Sequence, residues 1–202
     1  MGISLQPLMG FDLPSLITLS VDLDSLVSSF TKEEIDSLIK RLPTNKALGL
    51  DGFNGLFIKK CWPLIKNDFC ALCLDFFECK ISLEIINGSF IILVPKVNNL
   101  ECVNDFRTIS LLNCSIKLLT KILAERLQRI ILEILHKNQY GFIKTRTIQD
   151  CIAWCFEYIH QCNQSKRKII ILKLDFAKAF DTVEHSAMLE IMRTMGFPDR
   201  WL

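Results

Sequence analysis

Asp175 and Asp181 are the two carboxylates whose setting invites chemistry. They lie in KIIILKLDFAKAFDTVEH, residues 168–185, where an apolar run ends on the first acid and five residues separate it from the second. A carboxylate held at the C-terminal tip of a buried strand is rigid enough to act as a metal ligand, and its hard oxygens suit Mg²⁺. The same acids have an ordinary use, because Asp caps turns and helix starts: Asp175 for the next turn, Asp181 for the helix after it. Spacing leaves both readings open and does not fit the Asp-x-Asp pattern of a phosphatase.

Lys96 in LVPK and Arg107 in DFR fall at the ends of two strand-like segments. Two cations on one hairpin can grip a triphosphate, although the more ordinary account is a pair of solvated edge-strand charges that discourage aggregation. The loop NKALGLDGF, residues 45–53, offers backbone amides to phosphates. It lacks the Gly-Lys-Ser/Thr of a nucleotide-binding loop, and a plain turn explains it. Cys70 and Cys73, and the group Cys151, Cys155, His160 and Cys162, have spacings that tempt a zinc reading. Both sets lie in helical stretches beside Phe, Leu and Ile, where cysteine serves as a small hydrophobe. His136 and His185 are read in the same way.

These residues need elements to hold them. Residues 1–29 read as a loosely ordered lead-in. Thr31 and Glu34 form a capping box before a helix whose face is Ile35, Leu38, Ile39 and Leu42, closed by Pro43. A turn-rich loop follows, then a helix that restarts at Pro63, a residue suited to a first turn. SFIILVPK and DFRTISLL read as an antiparallel pair, the first strand buried and closed by Pro95. Asn113 caps a long amphipathic helix with Ile116, Leu119, Leu123, Leu127, Ile130 and Ile134 on one face. IQDCIAWCFEYIHQC is helical, and KIIILKLDF is a strand apolar on both sides, hence central in a sheet. A closing helix ends at Gly196 and Pro198. The layout is α+β.

Bulk composition constrains the rest. The 202 residues suffice for a real core. Half are hydrophobic, and the net charge is +2, so a nucleic-acid role must rest on local basic clusters. Mean hydropathy is +0.30, high for a self-sufficient soluble protein. Either the core is large or some apolar faces pack against chain outside these residues. Nine cysteines, an odd number without a secretory leader, point to a reducing intracellular setting, nucleus or cytoplasm. No apolar run approaches the roughly 18–20 residues of a membrane span.

In order, NKALGLDGF, IILVPK, DFRTISLLN, KLLTKILAERL, NQYGFIKTRTIQD and KLDFAKAFDTVEH resemble the reverse transcriptases of LINE-type (non-LTR) retrotransposons, most of all plant ones, from about Phe30 onward. The resemblance implies a right-hand polymerase, with fingers over 30–165 and the start of the palm over 166–202. It makes Asp175 the first catalytic aspartate and a ligand of both Mg²⁺ ions, with the Phe176 carbonyl as helper. It makes Phe180 the aromatic under the incoming sugar, and Lys96 and Arg107 the grip on the triphosphate. Asn45, Lys46, Gly49, Asp51 and Gly52 become part of a template lid, and Gln139, Lys144 and Arg146 template contacts. Asp181 orders the following turn. The implied partners are an RNA template, a DNA primer and dNTPs, with no membrane. The chemistry is in-line attack by a primer hydroxyl, supported by two metals about 4 Å apart.

Departures from the family pattern stand at Leu48 and Leu50, where proline is usual, at Thr108, also for proline, and at Thr145, for a glycine that needs positive φ. The leucines are expected to loosen their loop. No Asp-Asp pair occurs in the sequence. The expectation is therefore a reverse transcriptase truncated after its first palm motif, lacking the rest of the palm and the thumb. Such a chain is inactive by itself and does not hold Mg²⁺ securely, and the strand bearing Asp175 is left without sheet neighbours. The alternatives are a non-catalytic nucleic-acid-binding module and a non-functional pseudogene product.

Overall fold

Thr31 Oγ1 accepts the Glu34 N–H at 3.1 Å, and helix α1 (Lys32–Lys40) runs from that cap with Ile35, Leu38 and Ile39 buried. The computed structural model describes residues 21–84, 86–99, 101–176 and 182–202. They group into two units: Ser28–Glu125, and Arg126–Leu202 together with the segment that ends at Val27. Phe180 and Asp181 lie outside the described residues.

In the Ser28–Glu125 unit, α1 packs with α2 (Gly55–Phe77) and the first half of α3 (Cys114–Ile134). Ile35, Leu38 and Ile39 meet Ile58, Phe69 and Cys73 of α2 and Leu118, Leu119 and Ile122 of α3. Each fully buried aliphatic side chain contributes about 1.5–3 kcal/mol. The buried face of α3 is wider than the heptad-like stripe in the sequence, because Cys114, Leu118 and Ile122 join it. Asp36 braces α1 against α2: it accepts from Trp62 Nε1 at 2.8 Å and from Lys66 Nζ at 2.6 Å. The Lys66 hydrogen bond, then that of Trp62, holds its carboxyl below the usual range.

Pro63 does not restart a helix. α2 is continuous from its Asn54 cap, whose side chain accepts the Phe57 N–H at 2.8 Å, and Pro63 lies inside it. Pro63 gives no N–H to the carbonyl four residues back. It sits on the exposed side, and buried residues anchor the helix before it (Ile58) and after it (Phe69, Cys70, Cys73).

Strands β1 (Ser89–Pro95) and β2 (Phe106–Leu112) pair antiparallel, Ser89 opposite Leu112 and Pro95 opposite Phe106. The pairing is as expected, but the burial is not. Among the described residues the sheet has two strands, and residues from Phe90 to Val94 are exposed on both faces, Ile91 at 69%. Nothing described stacks on the ribbon, and apolar side chains are buried only where a second layer covers them.

The Arg126–Leu202 unit holds the end of α3, α4 (Ile148–Gln164) and α5 (His185–Thr194). Its core is Leu23, Leu26 and Phe197, with Leu127, Ile130 and Ile134 of α3 against them. The described part of the 1–29 lead-in is thus packed. Asp24–Val27 is a 3₁₀ turn with Leu26 buried, and buried Arg126 donates to the Leu26 carbonyl at 3.1 Å. α4 starts on a capping box of Thr147 and Asp150, a signal the sequence reading passed over. α5 stops at Gly196, whose φ of +83° lets the chain reverse.

KIIILKLDF is not a strand. Residues 168–176 belong to no regular element and are exposed, Ile170 at 97%. A strand exists through hydrogen bonds to a neighbour, and no described strand pairs with this segment.

Candidate nucleotide and nucleic-acid site

The β1–β2 register decides how the two hairpin cations stand. Arg107 pairs with Val94, and Lys96 follows Pro95, its N–H donating to the Asp105 carbonyl at 2.7 Å. Lys96 thus stands just past the end of β1, two positions beyond the strand partner of Arg107. Both residues are exposed. Lys96 Nζ reaches the Asn104 carbonyl at 2.8 Å, and Asp105, which accepts the Glu101 and Cys102 N–H groups at 2.8 and 2.9 Å, orders the turn beneath.

The 45–53 loop is tied down despite Leu48 and Leu50. Asp51 Oδ2 accepts the Cys114 N–H at 2.5 Å and Oδ1 the Phe53 N–H at 3.2 Å. The carboxylate therefore serves the start of α3 from sixty-three positions away, where the helix dipole favours an anion. Asn113, expected to cap that helix, turns its side chain elsewhere: Oδ1 accepts the Asp51 N–H at 3.0 Å and Nδ2 donates to the Ile86 carbonyl at 3.1 Å. Gly49 is fixed by space, since a Cβ there would stand 2.2 Å from the Leu112 carbonyl oxygen. Gly52 is fixed by conformation, at φ +69° with open space around it. Asn45 and Lys46 are exposed.

The same loop closes a cavity of about 210 Å³ against α2 and α3. Lys46, Lys117 and Lys121 line it beside Phe53 and Asn54. Lys117 Nζ donates to the Ala47 carbonyl at 2.8 Å. The four-residue spacing of Lys117 and Lys121 puts them on one side of α3.

Of the expected template contacts in the other unit, Arg146 is structural in part. Its guanidinium donates to the His136 and Gln139 carbonyls at 2.8 and 2.6 Å and so shapes the turn that carries Gln139. Gln139 and Lys144 are exposed. Thr145 is not among the positive-φ residues; in this turn that conformation falls on Phe142, at +63°, so the threonine meets no strain of that kind.

Asp175 and Phe176 are both exposed at the end of the irregular 168–176 segment. Among the described residues no three of His, Cys, Asp and Glu form a group able to hold a metal ion. What is described thus does not fit a two-metal centre. No described helix is long and apolar enough to cross a membrane.

Residues 94–202 match the family described as reverse transcriptase (RNA-dependent DNA polymerase), and the span contains Lys96, Arg107, Gln139, Lys144, Arg146 and Asp175. Similar proteins include the transposon TX1 uncharacterized 149 kDa protein of Xenopus laevis, 27% identical over 175 residues, which is 86% of this chain and 13% of that protein. A putative 115 kDa protein in the type-1 retrotransposable element R1DM of Drosophila melanogaster is 28% identical over 172 residues, 81% of this chain and 16% of its own length. The retrovirus-related Pol polyprotein from the type-1 retrotransposable element R2 of Popillia japonica is 29% identical over 107 residues, 53% of this chain and 15% of that protein. The chain spans less than a fifth of each of these relatives. With more than half of its residues inside the family match and with such relatives, the chain belongs to the reverse transcriptase family, in the branch of the non-LTR retrotransposons.

Proposed function

We propose that this chain supplies the fingers, residues 30–165, and the start of the palm, 166–202, of an RNA-directed DNA polymerase that works inside the cell, in nucleus or cytoplasm. Its partners in that role are an RNA template, a DNA primer and dNTPs. The observation that carries the reading is the hairpin register: Arg107 stands opposite Val94, two positions before Lys96 at the end of the same ribbon, inside the span of the family match. Two exposed cations so arranged neutralise a triphosphate without a covalent step, which is most of what a phosphoryl-transfer site asks of its protein. Asp175 is the palm carboxylate next to the reacting phosphate, and Phe180 the aromatic under the sugar. Lys144 and Gln139 face the template strand, and the grip of Arg146 on two backbone carbonyls sets their turn.

Mg²⁺ is the cofactor this family role calls for. The described residues gather no ligand set for it, so no step is assigned to a metal, and the 202 residues alone are expected not to polymerise. Primer extension on an RNA template with dNTPs and Mg²⁺ tests this. The expected result is no product. Extension that disappears in Asp175→Ala would overturn the claim of inactivity while upholding the role of Asp175. Salt-dependent RNA binding, weakened by Lys144→Ala, is expected of the same protein; its absence would count against the template assignments.

A further inference from the structure

The 210 Å³ cavity between the 45–53 loop, α2 and α3 combines features that the hairpin site does not explain. Lys46, Lys117 and Lys121 line it, and none of its described lining residues is acidic. Lys117 has a carbonyl partner in Ala47. Like charges gathered around one concavity repel, and an anion between them relieves that repulsion. The wall is aromatic: Phe53 lines the cavity and is half-exposed. Its ring is backed by Phe57, with centroids 4.4 Å apart and planes 7° off parallel. An exposed ring backed on one face by a second ring, beside lysines, offers what single-stranded nucleic acid uses, one base stacking while the phosphate meets the cations.

Size argues for one unit of a polymer. Sites for whole small molecules run to about 300–1,000 Å³, and this one is smaller. We propose that Lys46, Lys121 and Phe53 form a subsite for a single nucleotide of an RNA strand, base on Phe53 and phosphate between the lysines, with Lys117 fixing the loop that forms its roof. The inference rests on the nucleic-acid reading above and adds a subsite on α3, an element to which that reading gave no ligand. Asp51 and Gly49 enter only as the parts that hold the loop in place.

The test uses the full chain and a fluorescein-labelled oligouridylate of about 12 nucleotides, within the roughly 4–16 that one single-strand-binding domain covers. Anisotropy is followed across about 50–200 mM salt. Lys46→Ala with Lys121→Ala should flatten the log–log salt slope by about 0.7, the value for one phosphate contact on a single strand. Phe53→Ala should weaken binding about 5- to 150-fold, the range of base–aromatic stacking. Lys60→Ala with Lys137→Ala, equal in charge and not among the cavity's lining residues, should leave the slope nearly unchanged. Circular dichroism melts confirm that each variant folds. If the control pair flattens the slope as much as Lys46 and Lys121 do, the subsite is refuted as diffuse surface charge. Polyglutamate that competes as well as RNA refutes it as a general anion patch. Loss of binding in Lys144→Ala but not in the cavity variants refutes the subsite and leaves the template reading standing; no RNA binding by the wild type overturns both.

Discussion

Replacing Asp51 by alanine separates two roles that one position can play. Family resemblance makes Asp51 part of a template lid, while its geometry makes it the cap of α3. Its Oδ2 takes the Cys114 N–H at 2.5 Å and its Oδ1 the Phe53 N–H at 3.2 Å. Cys114 is buried, so its amide has no water to turn to. Loss of a cap costs about 0.5–2 kcal/mol, and a buried donor left unpaired about 1–3 kcal/mol. These describe the same amide and overlap, so the expected loss is about 2 kcal/mol. For a chain of this length that lowers Tm by about 4–8 °C. Asp51→Asn keeps one acceptor oxygen and should lose about half as much. Thermal and urea unfolding followed by far-UV circular dichroism read both variants, with RNA affinity measured well below Tm. An unchanged Tm together with lost RNA binding would refute the reasoning and make Asp51 a ligand contact.

Three further outcomes follow from the geometry. Gly49→Ala drives a Cβ into the Leu112 carbonyl and should cost at least about 2–3 kcal/mol, whereas Gly52→Ala, with only its φ of +69° to offend, should cost about 1–2 kcal/mol; equal losses in urea unfolding would contradict the distinction. The Asp36 carboxyl is held low by Lys66 and Trp62, so its stabilisation is present above the unfolded value near 3.8 and is lost as pH falls through the lower folded value; Asp36→Asn should remove this part of the acid limb in pH-dependent melts, and an unchanged limb would dismiss it. Iodoacetamide near pH 8 should label exposed Cys79, Cys102 and Cys155 well before Cys73, which is fully buried and whose thiol burial pushes up to about 12; peptide mass mapping that finds Cys73 labelled at a similar rate would show that the α1–α2–α3 core opens.

Local chemistry was legible in the sequence wherever a feature is satisfied by near neighbours. The Thr31 cap, the face of α1, the stop at Gly196 and the pairing of β1 with β2 all follow from spacing within a few residues. The motifs that give the family also survive as linear strings, so the identity of Asp175, Lys96 and Arg107 as candidates needed no coordinates. Pro63 was misleading because its local preference for a first turn was overruled by buried residues on both sides of it in one helix. KIIILKLDF has the composition of a central strand, but a strand is a relation between two chains of hydrogen bonds, and composition does not supply the partner.

Tertiary structure alone decided what the loops do. Nothing in NKALGLDGF says that Asp51 caps a helix sixty-three positions later, that Gly49 touches the Leu112 carbonyl, or that Lys117 holds Ala47. Nor does the spacing of Lys117 and Lys121 along α3 reveal that Lys46 and Phe53 face them across a cavity. The sequence by itself determined the family, the helices with their own caps and the hairpin, because each depends on patterns within a short stretch of chain. Whether a loop lysine faces a helix lysine depends on where distant segments come to rest, and that is settled by the packing of the core beneath them.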